Sequence, residues 1–225
     1  MSIQSGFLLV NKPIGPTSHD IVDTLRRITG IRKIGHAGTL DPFASGLLIM
    51  AIGREATREI SKFVKLEKVY TAKLYLGATS NTYDNTGTII SSSNHKIIKS
   101  QQVISTVLKE FEGKQNQIPP MFSAKKIKGK KLYELAREGK EIKREPVKIN
   151  IEYIKMIDYD YPNLTIEVKV SSGTYIRSLA NDIGQKLQVG AYLDALERIE
   201  IGEYKLSNAV NLKDITQDNW QKYLI

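Results

Sequence analysis

The chain has 225 residues, 41% hydrophobic and 25% charged, which is an ordinary composition for a globular protein with a substantial core. Its 33 Lys and Arg outnumber its 24 Asp and Glu, and the net charge of +9 favours polyanionic partners such as nucleic acid or an anionic membrane surface. The absence of Cys excludes disulfides, thiol catalysis and Cys-ligated metal sites. The longest apolar runs are too short for a membrane span or a signal peptide, so we expect a soluble cytoplasmic protein.

The first half of the chain alternates between predicted strands and helices. Ser18 offers a helix N-cap, and Gly30 offers the stop of a helix whose apolar residues recur at helical spacing. A Gly-rich loop, Gly35–Gly46, follows. A later helix is marked by Val103, Val107, Leu108 and Phe111, and strands are predicted at Phe7–Val10, Leu47–Ile52 and Val69–Leu76.

The second half begins with a chain break at Pro119-Pro120 and a Lys-rich segment, Lys125–Arg144, that is too polar to be core. We interpret this segment as a basic projection from the body of the protein. Asp160–Asn163 predicts a turn that joins two strands into an antiparallel pair. The later elements are strands at Val147–Tyr153 and Thr165–Val170, a helix from Thr174 and a last strand at Leu196–Ile201.

This order of elements predicts an α+β fold built around a large, mostly antiparallel sheet flanked by helices, and not a doubly wound parallel fold. Residues 1–225 are expected to form a single domain. Within it, residues of about 120–148 form the basic segment, and residues of about 203–225 form a short C-terminal tail.

The loop from Gly35 to Pro42 is the most informative stretch for chemistry. It carries one carboxylate, Asp41, and the following Pro42 restricts the backbone of Asp41 to extended conformations. A carboxylate on a rigid loop suits nucleophilic or general-base work. The alternative is that Asp-Pro merely initiates a turn that the glycines permit.

A second candidate cluster is Gly173–Arg177, where a strand gives way to a helix and presents Tyr175 and Arg177 at the edge of the sheet. An Arg near a loop Asp would keep the carboxylate ionised, and a Tyr offers a flat face for a base. Tyr70 fits either a base-stacking role or an ordinary core position. His36 follows Gly35 and lies two residues before Gly38, so we expect it outside any helix or strand, where it could reach a ligand. For all of these residues, plain surface or core roles remain open.

Five ordered motifs of the chain resemble the bacterial tRNA pseudouridine synthase B family over residues 7 to 215. Such a set of motifs at compatible spacing is far more specific than any one of them. The resemblance rests on Leu9–Pro13 with Gly15 and Thr17-Ser18, on Gly35–Pro42, on Lys68–Tyr70 with Thr79–Gly87, on Gln117–Ala124, and on Gly173–Arg177 with Gly190–Arg198.

The resemblance implies a pseudouridine synthase fold and a catalytic role for Asp41, with no metal and no organic cofactor. The reaction would isomerise the T-loop uridine, position 55 of tRNA, to pseudouridine after the base is flipped out. Arg177 would pair with Asp41, and Tyr70 would pack on the uracil. Tyr175 and Leu196 would line the pocket, and His36 would enter the space left by the flipped nucleotide.

The resemblance also identifies the basic segment as the thumb insertion of the family. Lys125, Lys126, Lys128 and Lys130 would contact the RNA backbone, positioning the T-arm without specifying its sequence. The chain ends at Ile225, about where the catalytic domain of the family ends, so we expect the catalytic domain without a PUA domain. We also expect a monomer.

Two other functions remain as alternatives at this stage. The chain could be a tRNA-binding folding chaperone in which catalysis is incidental, or a basic RNA-binding protein without catalysis. The coexistence of Asp41, Tyr70, Tyr175 and Arg177 favours the enzyme over both. Which intermediate Asp41 forms does not follow from the sequence.

Overall fold

The computed structural model describes residues 5–92, 98, 100–123, 126–127, 130–131 and 142–225. The chain divides into two compact units. The first unit comprises Met1–Thr71 and Leu196–Ile225, and the second comprises Ala72–Ala195. We describe the two units separately.

The strands of the described ranges follow one another closely along the chain. They are β1 (Gly6–Lys12), β2 (Ile34–His36), β3 (Ser45–Ile52), β4 (Lys68–Leu76), β5 (Ala78–Ser80), β6 (Ile89–Ser91), β7 (Gly113–Gln117), β8 (Lys126–Ile127), β9 (Lys130–Lys131), β10 (Val147–Asp160), β11 (Asn163–Val170), β12 (Ala191–Ile201), β13 (Tyr204–Lys205) and β14 (Val210–Asn211).

The helices are shorter and lie between these strands. They are α1 (Ser18–Thr29), α2 (Gly53–Glu59), α3 (Ser61–Val64), α4 (Gln101–Lys109) and α5 (Ile176–Lys186), with 3-10 turns at Leu206–Asn208, Leu212–Asp214 and Trp220–Tyr223. Within the described part of the chain, the helices lack the length and apolarity needed to cross a membrane.

The first unit is organised around β3, which runs antiparallel to β1 and β2 and parallel to the end of β12. Strand β14 adds to the outer edge of β1 in parallel. Seven of the eight residues of β3 are buried, because apolar side chains cover both of its faces. On one face, Leu48 and Met50 pack with Ile21 and Leu25 of α1; on the other, Leu47 packs among a second apolar cluster. Burial on both faces explains the continuous apolar run in the sequence.

The N-terminus of α1 is closed by Thr17, and not by Ser18 as the sequence pattern predicted. The Thr17 side chain accepts a hydrogen bond from the backbone of Asp20, and the Asp20 side chain accepts one from the backbone of Thr17. This capping box satisfies donors that a helix end otherwise leaves unpaired. Ser18 therefore has its side chain available for another contact, although Gly30 ends the helix as predicted.

The second unit contains the strand order β4-β11-β10-β7. Strands β10 and β11 form the predicted antiparallel hairpin, closed where Asp160 pairs with Asn163. Strand β7 pairs antiparallel with the other edge of β10. Alternate residues of β11 are buried, and helix α5 contributes Ile176, Leu179 and Ile183 to the interior.

The elements differ from the sequence prediction mainly at their ends. Helix α5 begins at Ile176 instead of Thr174, and β12 begins at Ala191 instead of Leu196. His36 is the last residue of β2, so the expectation that it lies outside any strand was wrong. Of the basic segment, the two short strands β8 and β9 pair with each other, and most of the remainder lies outside the described residues. The predicted domain limits stay a prediction.

Gly46→Ala is expected to destabilise the first unit strongly. Gly46 has φ +106, and a Cβ there would lie 2.4 Å from the carbonyl oxygen of Arg198. Left-handed strain and overpacking together should lower the free energy of unfolding by about 3 kcal/mol or more in urea denaturation. Gly30→Ala is the control, because Gly30 has φ +70 but open space around it; its cost should be about 1 kcal/mol. Equal losses would contradict the close approach.

Candidate active site

Asp41 lies on a turn whose two neighbouring residues are held by hydrogen bonds. Its carbonyl accepts from the backbone N–H of Ala44 at 3.1 Å, and the residue is half-buried. Before it, both backbone groups of Leu40 bond to the Ser18 hydroxyl, at 2.9 and 3.1 Å. After it, the Pro42 carbonyl accepts from the backbone N–H of Gly15 at 2.8 Å. The backbone on either side of Asp41 is therefore fixed to the segment that leads into α1.

Lys12 is fully buried beneath this turn. Its Nζ donates to the carbonyls of Pro13 and Pro16, each at 2.8 Å, and approaches that of Pro42 at 3.5 Å. Burial lowers the pKa of Lys12 to about 8, although the charge of Asp41 opposes the shift and that of Arg198 adds to it. Lys12 thus places a cation within electrostatic reach of the Asp41 carboxylate.

Arg198 contacts the chain on both sides of the same loop. Its Nε donates to the Leu47 carbonyl at 2.8 Å and its Nη2 to the Gly38 carbonyl at 3.1 Å, while only 1% of the residue is exposed. The backbone of Arg198 also runs directly against Gly46, the residue opposite it in the β12–β3 pairing. Arg198 consequently contacts both ends of the nine-residue segment from Gly38 to Gly46, with its side chain at Gly38 and its backbone at Gly46.

His36 and Lys68 are two further titratable groups of the first unit. Burial, and then the charges of Arg198 and His19, lower the pKa of His36, so its ring is neutral at pH 7. The His36 Nδ1 is buried and has no hydrogen-bond partner within the described ranges. Lys68 donates from Nζ to the carbonyls of Val64 and Leu66, each at 2.6 Å, and burial lowers its pKa to about 8.

Tyr70 and Leu196, the other predicted pocket residues of the first unit, are each 8% exposed. Tyr70 lies on β4, where it is buried along with Ala72 and Leu74, as the alternation in the sequence predicts. The exposure of Tyr70 is compatible with a core aromatic and with a ring that contributes one edge to a pocket. The pocket role of both residues stays a prediction.

Arg177, in the second unit, forms a buried ion pair with Asp84, with 3.2 Å between Nη1 and Oδ2. The same guanidinium donates to the carbonyls of Thr82 at 3.2 Å and Phe122 at 2.8 Å. Asp84 also accepts from the Thr82 hydroxyl and from the backbone and hydroxyl of Thr86, at 2.6 to 3.0 Å. This network fixes Arg177, because the buried guanidinium makes several charge-assisted hydrogen bonds.

Tyr175, at the N-cap position of α5, is held by the side chain of Gln117. The Gln117 Oε1 accepts from the backbone N–H of Tyr175 at 2.8 Å, and its Nε2 donates to the Tyr175 carbonyl at 3.0 Å. Gln117 is 3% exposed. Two hydrogen bonds therefore fix the start of α5 to the end of β7. They hold the backbone position from which the half-buried Tyr175 side chain extends.

The predicted site residues divide between the units. Asp41, His36, Tyr70 and Leu196 belong to the first, whereas Tyr175 and Arg177 belong to the second. The predicted pairing of Arg177 with Asp41 joins residues of different units and stays a prediction; the observed partner of Arg177 within its own unit is Asp84. Among the predicted RNA-contacting lysines, Lys126 and Lys130 lie in the β8–β9 hairpin. Lys125 and Lys128 lie outside the described residues.

Several residues that hold the predicted site residues or their loops in place had no functional role in the sequence prediction. These residues lie in motifs that the sequence analysis recognised. The burial of a Lys or Arg, however, has no signal in a single sequence, because such residues are usually exposed. The one available hint was their position inside or beside apolar strands. They are Lys12, Lys68, Asp84, Gln117 and Arg198.

Two family models together match most of the chain. The model of the TruB family pseudouridylate synthase N-terminal domain matches residues 26–176, and that of the tRNA pseudouridylate synthase B C-terminal domain matches residues 177–224. The chain belongs to the TruB family. This membership confirms the family predicted from the sequence motifs.

Curated members of the TruB family are similar to this chain over nearly its whole length. A tRNA pseudouridine synthase B of Protochlamydia amoebophila is 48% identical over 98% of this chain and 83% of that protein. Proteins of the same name from Chlamydia trachomatis serovar L2 and Clostridium novyi are 43% and 45% identical, over 97% and 98% of this chain and 90% and 75% of those proteins.

Solved structures confirm the α+β pseudouridine synthase fold. A Cbf5-Nop10-Gar1 complex contains a chain that is 31% identical with a TM-score of 0.72. An H/ACA ribonucleoprotein bound to a substrate RNA containing 2'-deoxyuridine contains one that is 30% identical with a TM-score of 0.70. This TruB-family chain is covered to 94% in both cases, but it spans only 54% and 52% of those chains.

The described residues of this TruB-family chain hold no cluster of three or more His, Asp or Glu side chains placed to bind a metal ion. The titratable groups that the first unit offers are a half-buried carboxylate on a fixed turn, a buried ammonium group nearby, and a neutral imidazole ring.

The stability of the TruB-family chain is expected to rise with pH between about 8 and 10 through Lys12. Its pKa in the folded chain is about 8 and in the unfolded chain about 10.5, so the unfolded chain binds more protons over this interval. In Lys12→Met, the slope of unfolding free energy against pH should be smaller by roughly 1 kcal/mol per pH unit. Urea denaturation between pH 7.5 and 9.5 measures both slopes.

The exposed Lys213 provides the control for this comparison, since Lys213→Met should keep the wild-type slope. Equal slopes in all three proteins would show that Lys12 is not titrated in this interval, whatever the absolute stability of Lys12→Met.

Proposed function

We propose that this chain converts the T-loop uridine at position 55 of tRNA to pseudouridine, with Asp41 as its catalytic carboxylate. The observation that carries the proposal is the fixed turn of Asp41 in a member of the TruB family: both neighbours of Asp41 are hydrogen-bonded, and the cation of Lys12 lies within electrostatic reach. Relatives named tRNA pseudouridine synthase B, at 43 to 48% identity, support tRNA as the substrate.

The reaction needs few groups because it is an isomerisation. The N1–C1′ bond of the uridine breaks, the uracil leaves as a stabilised anion and turns, and C5 bonds to C1′. The proton of C5 is then lost, and N1 takes up a proton, so no atoms are gained or lost overall. Asp41 would attack or support the electron-poor C1′, as carboxylates do in other glycosidic cleavages.

The uridine must leave its stack for this chemistry, since C1′ and N1 are otherwise out of reach. The unstacking costs a few kcal/mol, which contacts in the pocket must offset. In our proposal the neutral ring of His36 enters the space left by the base, and Tyr70 packs on the flipped uracil. Tyr175 and Leu196 would line the pocket. Within its own unit Arg177 pairs with Asp84, and its predicted pairing with Asp41 remains part of the proposal.

The tRNA backbone would be held by positive charge outside this pocket. A pocket of about 490 Å³ in the first unit is lined by four cationic residues, Arg26, Lys33, Arg54 and Arg58. Arg26 pairs with Asp23, whereas the other three form no ion pair with a described residue. Phosphate contacts of this kind position the RNA and are independent of its sequence. The thumb residues Lys125, Lys126, Lys128 and Lys130 would add further phosphate contacts on the T-arm.

We also propose that the protein acts as a cytoplasmic monomer.

Asp41→Asn should abolish turnover and leave tRNA affinity nearly intact. The exchange removes the charge and nucleophilicity of the carboxylate but keeps its size, so the turn and the RNA-binding surface should persist. The measurement is tritium release from a tRNA transcript labelled with [5-³H]uridine, beside a binding assay on the same transcript. A transcript with cytidine at position 55 tests the position.

The two results together separate the candidate functions. Release by the wild type alone would establish both the reaction and the role of Asp41. Wild-type binding without release would favour the chaperone function, whereas loss of affinity in Asp41→Asn would make Asp41 a structural residue. Release that persists with cytidine at position 55 would move the target to another uridine.

Arg54→Ala combined with Arg58→Ala should weaken tRNA binding and reduce its salt dependence. Each phosphate contact that is lost removes roughly 0.7–0.9 from the slope of log affinity against log salt concentration. The matched control is Lys213→Ala with Lys222→Ala, which removes two exposed charges of the same unit outside the cationic pocket. Equal slopes in the two double variants would remove the pocket from the RNA interface.

A further inference from the structure

The hydroxyl group of Ser18 is buried and bonds to the residue immediately before Asp41. Its Oγ accepts from the backbone N–H of Leu40 at 2.9 Å and donates to the Leu40 carbonyl at 3.1 Å. Ser18 is 2% exposed and Leu40 is 3% exposed. Water therefore has little access to replace this contact, and a change at Ser18 would leave both backbone groups of Leu40 without the partner that they have.

Ser18 itself has a fixed position, because it is the first residue of α1. The buried face of that helix, with Ile21 and Leu25, packs into the core of the first unit. The N-terminal capping of the helix is done by Thr17 with Asp20, so the Ser18 hydroxyl is not required for the cap. The adjacent hydroxyls thus have separate tasks: one closes the helix and the other contacts the loop of Asp41.

The segment that leads into α1 also holds the residue after Asp41. The backbone N–H of Gly15 donates to the Pro42 carbonyl at 2.8 Å. Gly15 and Ser18, three residues apart, therefore brace the two neighbours of Asp41 from the same stretch of chain. Because Gly15 acts through its backbone, Ser18 is the member of this pair whose contact a side-chain substitution can remove.

We propose that Ser18 is a positioning residue of the active site, which fixes the Asp41 carboxylate through the backbone of Leu40. This inference rests on the proposed function of Asp41. A carboxylate that reacts with C1′ must be held in a near-attack position, and a misplacement of about 1 Å is enough to lower a rate about 100-fold. Affinity for tRNA, which depends on many contacts, is not expected to change.

The test compares Ser18→Ala with Thr17→Ala. Both remove one hydroxyl from adjacent residues at the start of α1. We expect Ser18→Ala to lower the single-turnover rate of pseudouridine formation about 10- to 100-fold, with the dissociation constant for tRNA within about twofold of the wild type. Thr17→Ala should lower the melting temperature by about 2–4 °C through loss of the cap, with the rate within about twofold.

A third variant, Ser18→Cys, keeps the size of the side chain but has a weaker donor and acceptor. Its rate should lie between those of the wild type and Ser18→Ala, and it also serves as the test should Ser18→Ala fold poorly. A wild-type rate in Ser18→Ala would overturn the inference while leaving the proposed function intact. Rates that fall in both Ser18→Ala and Thr17→Ala in proportion to lost stability would also overturn it. Absence of pseudouridine with the wild type would remove the proposed function, and this inference with it.

Discussion

The ammonium group of Lys12 lies in the interior of the first unit, and the backbone carbonyls that bind it connect β1 to the turn of Asp41. A buried cation is costly unless its donors are satisfied, so the chain must keep these carbonyls in place for Lys12 to remain buried. The carbonyl of Pro42, next to Asp41, is one of them. The geometry of the Asp41 loop therefore depends on the same carbonyls that keep the charge of Lys12 buried.

The two units stabilise their buried cations in different ways. In the first unit, Lys12, Lys68 and Arg198 donate to backbone carbonyls, which compensate desolvation but carry no full negative charge. In the second unit, Arg177 pairs with the carboxylate of Asp84. Burial lowers the pKa of both lysines, and the first arrangement leaves positive potential around the loop. Such fixed charge is suited to an anionic nucleophile and an anionic substrate, because it needs no reorganisation when the reaction begins.

The proposed reaction makes modest chemical demands and strict geometric ones. In the proposal one carboxylate carries the isomerisation, and it would have to reach a nucleotide that has left its stack. Several interactions fix the backbone around Asp41. Ser18 and Gly15 bond to its two neighbours, and Arg198 contacts the same loop at Gly38 and Gly46. In the second unit, the ion pair with Asp84 fixes Arg177, and the hydrogen bonds from Gln117 fix the backbone of Tyr175.

The sequence by itself determined the family, the α+β class and most strands and helices, because ordered motifs and apolar periodicity are local properties of the chain. It also singled out Asp41, whose Gly-rich, Pro-flanked setting is visible without coordinates. Only the tertiary structure decided that Thr17 caps α1 while Ser18 bonds Leu40, since adjacent hydroxyls look equivalent in a sequence. It likewise decided that Arg198 lies inside, because the burial of a charge depends on carbonyls that are distant in the chain and brought near only by folding.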